Sequence, residues 1–301
     1  MKANSSLLAA CFALSLCFFG GATRAQDPLQ LTFGVYTSDM PTDMYRMFKP
    51  TLVYLEQSMS ASLSKPVKIK LRVFNNYEEA RKHFVNGEVD FVRFGPSSYI
   101  RAKKENPGIS LLVMEEQEGD FKFMGVIFTR SDSGINCLND LKGKSFAFGD
   151  QDSTIGRWLS QKYLVEAGIY KQDLSKETKY LERHDRVVAA VLSGKFAAGA
   201  AKESNFTKFK KEGLKELVTF PNVTKPWVAR SKFDPGVSSA IQENLLKLKD
   251  KKILDPIGEK ITGFGPVKDA DYDEVRKGMD KSLEFERGPD GSAAKSTSNA
   301  N

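Results

Sequence analysis

The chain has 301 residues, enough for two domains at roughly 100–200 residues each. Its 41% hydrophobic and 28% charged residues are an ordinary globular balance, which excludes a disordered or fibrous chain. The formal net charge of +7 is spread along the sequence with acids and bases mixed, so the clustered basic face of a nucleic-acid binder is missing and no nucleic-acid partner is expected.

Lys2, the apolar run LLAACFALSLCFFGGA, and the small residues Thr23 and Ala25 read as a secretory signal over residues 1–25, cleaved near Ala25. The run is shorter than the ~20 residues of a spanning helix, and it ends in two glycines and Arg24 rather than a basic cluster. LAAC, ending at Cys11, fits a lipoprotein signal, but the apolar run continues well past it. Export to the periplasm is the expectation. Cys11 and Cys17 leave with the signal, so Cys137 has no intramolecular partner and the exported protein is held by its core.

LTFGVY predicts the first strand, and Phe48, Leu52, Leu55 and Met59 recur at helical spacing after it. VKIKLRVF alternates as a strand. A short helix follows, capped at Asn75 or Asn76 and stopped at Gly87. VDFVRFG is a strand, Pro96 opens a helix, and ISLLVMEEQ and FMGVIFTR are strands. LNDLKGKSFAFG gives a short helix, a turn and a strand, and the polar turn GDQDST leads into a helix ending at Gly168. A strand end and a helix to Gly194, a small-residue strand KFAAGAAKES, and two late helices complete the pattern. The tail from Arg287 to Asn301 is small and polar, and disorder is expected there.

Strands alternating with helices predict α/β lobes. No Ser/Gly/Pro-rich linker divides the chain, so it is expected to cross between two lobes on extended strands, outward near Met124 and back near Trp227–Arg230. The expected division is 26–123 with 231–286 for the first lobe and 124–230 for the second.

Enzymatic signatures are weak. Two histidines and one mature cysteine make a zinc site improbable, and no Gly-x-Ser-x-Gly elbow or nucleophile–base pair is visible. KGKS lacks the upstream glycine of a phosphate loop, since that position is Leu138. No metal, cofactor or catalysis is expected. The turn before the Gly168 helix is more informative. Ser153 and Thr154 put two hydroxyls where a helix offers free N–H groups and partial positive charge. That arrangement serves an oxyanion cradle or a simple N-cap equally well. Asp150 and Asp152 oppose an anion unless they turn away or bond the turn backbone. His184 begins another helix. Arg93 and Phe94 end a strand, where α/β sheets place ligands, and the Arg93 fork suits an oxyanion.

These segments resemble the phosphate/phosphite/phosphonate family of periplasmic substrate-binding proteins that serve ABC importers. VDFVRFGPSSY, DLKGKSFAFGDQDSTIG, RHDRVVAAVLSGKFAAGA and GFGPVKDADYDEVR match that family's boxes in order, and the likeness runs from about Leu31 to Glu286. The resemblance implies a type II-like periplasmic binding protein, with two α/β lobes on two hinge strands and a ligand cleft that closes between them. It implies a monomer that captures a small oxyanion for a membrane permease, or that reports it to a receptor kinase. It carries oxyanion binding to Ser153, Thr154, His184 and Tyr77. Departures fall at Ile155, where the family has a further hydroxyl, at Arg93 and Phe94, which replace aromatic residues, and at Ala197. Lys202 and Glu203 stand where relatives carry acids or amides, and Glu203 is a candidate ligand residue; an aminoalkyl phosphonate needs a carboxylate for its ammonium, and which residue would supply it is left open.

Overall fold

The structure is a computed structural model that describes residues 27–289; the expected signal segment and residues 290–301 of the expected tail lie outside the described residues. The first lobe begins with β1 (Leu29–Tyr36), α1 (Pro41–Ser62), β2 (Val67–Phe74), α2 (Tyr77–Val85), β3 (Phe91–Arg93), α3 (Pro96–Glu105) and β4 (Ser110–Gln117). The chain then enters the second lobe through β5 (Lys122–Arg130), β6 (Phe146–Phe148), α4 (Ser160–Glu166), β7 (Lys179–Tyr180), α5 (His184–Leu192), β8 (Ala198–Lys202), α6 (Glu203–Phe209) and β9 (Leu214–Val223). It returns through β10 (Pro226–Ala229), α7 (Pro235–Lys247), α8 (Lys251–Leu254) and β11 (Ile261–Gly265), and closes with α9 (Asp273–Ser282) and α10 (Glu284–Arg287).

Two sheets result. The first has the order β11-β4-β10-β3-β1-β2, and the second β7-β6-β8-β5-β9. Parallel pairing of β1 with β2 and β3, and of β6 with β7 and β8, follows from the helical crossovers between them. β10 inserts antiparallel between β3 and β4. Phe33, Phe48 and Phe264 surround its fully buried Trp227, with Phe33 stacked at 4.6 Å.

Three boundaries differ from those read in the sequence. Lys122 and Phe123 already pair with Val223 and Asn222 in the second sheet. Pro226–Ala229, expected to end the second lobe, is a central strand of the first, because Trp227 buries in the first core. The two crossings therefore lie side by side, tied by Thr224 N–H donating to the Phe121 carbonyl at 2.8 Å and Glu115 N–H donating to that of Lys225 at 3.1 Å. The last helices do not simply rejoin the first lobe. Tyr272 packs in the first-lobe cluster beside Tyr99, while Phe285 lies edge-on to Phe148 in the second core. Burying a phenylalanine stabilises by ~1.5–3 kcal/mol, enough to carry that segment across. Strand β9 is absent from the sequence reading. Among the described residues no helix is long and apolar enough to cross a membrane.

Candidate functional site

A cavity of about 20 Å³ lies between the lobes, in front of the two crossings. One water-sized centre needs ~10–15 Å³, so in this closed form the cavity suits one compact ion. Four helical segments begin at it. Tyr77 opens α2, Pro96 opens α3, Thr154 opens the wide π-helical turn Thr154–Leu159 that leads into α4, and His184 opens α5; all four residues line the cavity. Each start carries the partial positive charge of a helix N-terminus, and four convergent starts favour an anion.

The turn GDQDST resolves into separate jobs. Ser153 is the cap, its Oγ accepting from Gly156 N–H at 2.9 Å. A π-turn here is a local widening often found at functional sites. It is compact because Gly149 and Gly156 approach as bare backbones, Gly149 N–H donating to the Gly156 carbonyl at 2.8 Å, and a Cβ on Gly156 would meet Gly149 Cα at 2.8 Å. Thr154 reaches across the cleft. Its Oγ accepts from Ser97 N–H of α3 at 3.0 Å, and the two hydroxyls lie 2.8 Å apart. Ser97 Oγ donates to the Asp152 carbonyl at 2.6 Å, which leaves the Thr154 proton to bond Ser97.

Both aspartates turn away from the cavity. Asp152 pairs with Arg101, and with Arg81 at 3.7 Å. The Asp150 carboxylate accepts from Asp152 N–H at 2.7 Å, and burial, with Glu182 beside it, pushes its carboxyl up to about 7.

The cavity also gathers Tyr36, Phe123, Lys202, Asn222 and Lys225, none of which the sequence reading named as ligand residues. The Tyr36 hydroxyl accepts from Gly95 N–H at 2.6 Å, its ring stacks on Tyr77 at 3.6 Å, and burial raises its phenol to about 12. Lys202 is bound to Asp39 at 2.8 Å, and Asn205 holds the other Asp39 oxygen at 2.9 Å. Burial works against the Asp39 charge, but Lys202 and its neighbours outweigh it and hold the carboxyl far below the usual range. Both amide atoms of Asn222 and Nδ1 of His184 are buried without a hydrogen-bond partner. Groups of that kind call for an explanation, and a bound ligand is one.

Of the eight residues read from the sequence, Ser153, Thr154, Ile155, His184 and Tyr77 line the cavity. Ile155 does so while packing in the second core with Ile127 and Phe220. The other three stand apart. Arg93 is buried, with both arms of its fork on Glu115 at 2.7 and 3.0 Å. Phe94 is fully buried against Phe84, edge-on at 5.3 Å. Glu203 begins α6 half-buried, and its neighbour Lys202 faces the cavity instead. The signal for the missed residues was slight: Asn222 and Lys225 are polar residues in FPNVTKPWVA, an otherwise strand-like stretch.

Burial, with Lys202 beside it, pushes the His184 imidazole down to about 3, so the ring is neutral at pH 7. In the unfolded chain the ring titrates near 6.5 and takes a proton that the folded ring refuses. Its contribution to stability is therefore complete above about pH 6.5 and falls as the pH drops towards 3, by up to ~1.4 kcal/mol per unit. Thermal melts across that window should show the loss, and His184→Gln should flatten it; an unchanged profile would place the ring in water.

The sequence model of one family, described as ABC transporter, phosphonate, periplasmic substrate-binding protein, matches residues 33–272. The chain belongs to that family. It is similar to the probable ABC transporter phosphite binding protein PhnD1 of Prochlorococcus marinus (strain MIT 9301), 28% identical over 224 residues, covering 67% of this chain and 75% of that protein. It is also similar to the phosphate-import protein PhnD of Mycolicibacterium smegmatis, 25% identical over 305 residues, covering 89% of this chain and 92% of that protein. The structure of the Prochlorococcus PhnD1 in complex with methylphosphonate matches the fold with a TM-score of 0.73 at 22% identity, over 85% of this chain and 100% of that one. The two-lobe α/β architecture expected from the sequence is the fold of this family. A substrate-binding protein of an ABC transporter is a binding component and not an enzyme.

Proposed function

We propose that this protein, exported with cleavage near Ala25, captures one compact tetrahedral oxyanion of phosphorus in the cavity and delivers it to its membrane permease. Phosphite, phosphate and methylphosphonate are the candidate ligands. The observation that carries the reading is the convergence of four helix starts on a cavity whose Asn222 and His184 polar atoms have no partner. Ser153, Thr154, Tyr77 and His184 are the proposed ligand residues from the sequence, joined by Asn222. The neutral His184 ring has one donor and one acceptor nitrogen, and Asn222 offers both kinds of group, so a protonated or deprotonated ligand oxygen can be met. The names of the two relatives, one for phosphite and one for phosphate, support the ligand class. Family membership favours delivery to a permease over signalling to a receptor kinase.

Isothermal titration with phosphite, phosphate, methylphosphonate and 2-aminoethylphosphonate tests the proposal. At least one of the first three is expected to bind. The last is expected to be weakest, because no carboxylate lines the cavity among the described residues and Asp39 is taken by Lys202 and Asn205. No heat from any of the four would overturn the reading.

A further inference from the structure

We propose that Lys225 fixes the charge class of the ligand: its ammonium pairs with the bound anion and turns away any substituent that carries a positive charge. The inference rests on reading the cavity as an oxyanion site. It comes from matching each charge at the cleft with its partner. Arg93 is matched by Glu115, which holds both arms of its fork. Lys202 is matched by Asp39. His184 is neutral. Lys225, which lines the cavity from the second crossing, has no carboxylate within ion-pair distance among the described residues.

The nearest acids are already committed. Glu115 holds Arg93 and lies within 3.5 Å of the Trp227 indole nitrogen, and Asp39 holds Lys202 and Asn205. Among the described residues the Phe123 ring supplies a compensating contact, with Lys225 Nζ 5.2 Å from its centroid, and Glu115 and Asp39 act on the ammonium only at longer range. A cation–π contact replaces only part of an ammonium's hydration. Burial, followed by repulsion from Arg93 and Lys202, holds the Lys225 ammonium well below the usual lysine range. A half-buried cation with no carboxylate beside it gains most from an anion placed there, and an ammonium-bearing substituent would add a second unpaired cation. The position is fixed by backbone: the Lys225 carbonyl accepts from Glu115 N–H, and Pro226 begins β10 immediately after it. Lys225 is therefore a binding residue presented by the hinge itself, where closure brings it onto the ligand.

Titration of the full exported chain tests this with phosphite, and with ethylphosphonate against aminomethylphosphonate, a pair of equal heavy-atom count that differs by the ammonium. Lys225→Met should weaken phosphite binding by ~10- to 150-fold, the range for a charged hydrogen bond, while melting no lower than the wild type without ligand. Lys225→Arg should restore most of the affinity. The wild type should prefer ethylphosphonate to aminomethylphosphonate by ~10-fold or more, and Lys225→Met should narrow that gap. Phosphite affinity unchanged in Lys225→Met, or a wild type that prefers aminomethylphosphonate, overturns the assignment and leaves the oxyanion site standing. A wild type that binds none of phosphite, phosphate and methylphosphonate overturns both. Should Lys225→Met fail to fold, the wild-type preference and the Arg variant still decide.

Discussion

Arg93→Ala is expected to cost roughly 3–5 kcal/mol of folding stability, the range for removing one partner of a buried ion pair. Glu115 is 1% exposed and would be left charged in a core lined by Trp227. Burial works against the Glu115 carboxylate, yet the Arg93 guanidinium outweighs it and holds the carboxyl below its usual range. Without Arg93 that carboxyl should rise. The variant's deficit should then shrink at acid pH, where Glu115 can be neutral. Urea unfolding at two pH values measures it, and pairing Arg93→Met with Glu115→Leu should recover much of the loss, because a well-packed apolar pair replaces a buried ionic one at little cost. Affinity for phosphite should change less than stability. The opposite result, a stable protein that no longer binds, would make Arg93 the direct ligand residue that its place at a strand end suggests.

Thr154→Ala is expected to reduce oxyanion affinity by ~10- to 150-fold, with a smaller change in the melting temperature of the ligand-free protein. Two effects act in the same direction. The Thr154 proton bonds Ser97 in the structure and can turn to an anion in the cavity that the residue lines, and its Oγ ties the lobes together by accepting from Ser97 N–H at 3.0 Å. Its loss removes a contact to the anion and one of the bonds that hold the cleft shut. Thr154→Ser keeps the hydroxyl and should stay near wild type. Ser153→Ala deletes the cap on Gly156 N–H as well as a cavity hydroxyl, and should cost ~1 kcal/mol of stability beside its loss of affinity. If Thr154→Ala melts earlier and binds as before, the hydroxyl is a bridge between lobes and nothing more.

Much of the site could be read from the sequence because helix starts carry local signals. Asn76 caps α2 through Glu79 N–H, Pro96 opens α3, and Ser153 caps the turn at Thr154; each is a short-range pattern of residue types. Those starts bring Tyr77, Thr154 and His184 to the cavity. Arg93 looked like a ligand contact for the same local reason, and the structure sets it outside the cavity lining. A strand end and a forked cation fit a ligand contact, but its partner Glu115 lies 22 residues on, across an inserted strand. Strand β9 was missed because it is an edge strand, half-covered over most of its length, so its apolar alternation is faint.

The sequence by itself determined the α/β class and the helix starts that ring the cleft, because propensity, capping and strand alternation act over a few residues, and its motifs in order carried the resemblance to the family and so to its two lobes. Tertiary structure alone decided which side chains complete the site. β10 inserts between β3 and β4, and that long-range pairing gives Glu115 to Arg93 and sets Lys225 beside the cavity, while the pairing of β9 with β5 sets Asn222 there. It also carries Phe285 into the second core, where the area it buries outweighs its place in the chain order. Whether a charge is matched depends on which elements become neighbours, and no local pattern of residues records that.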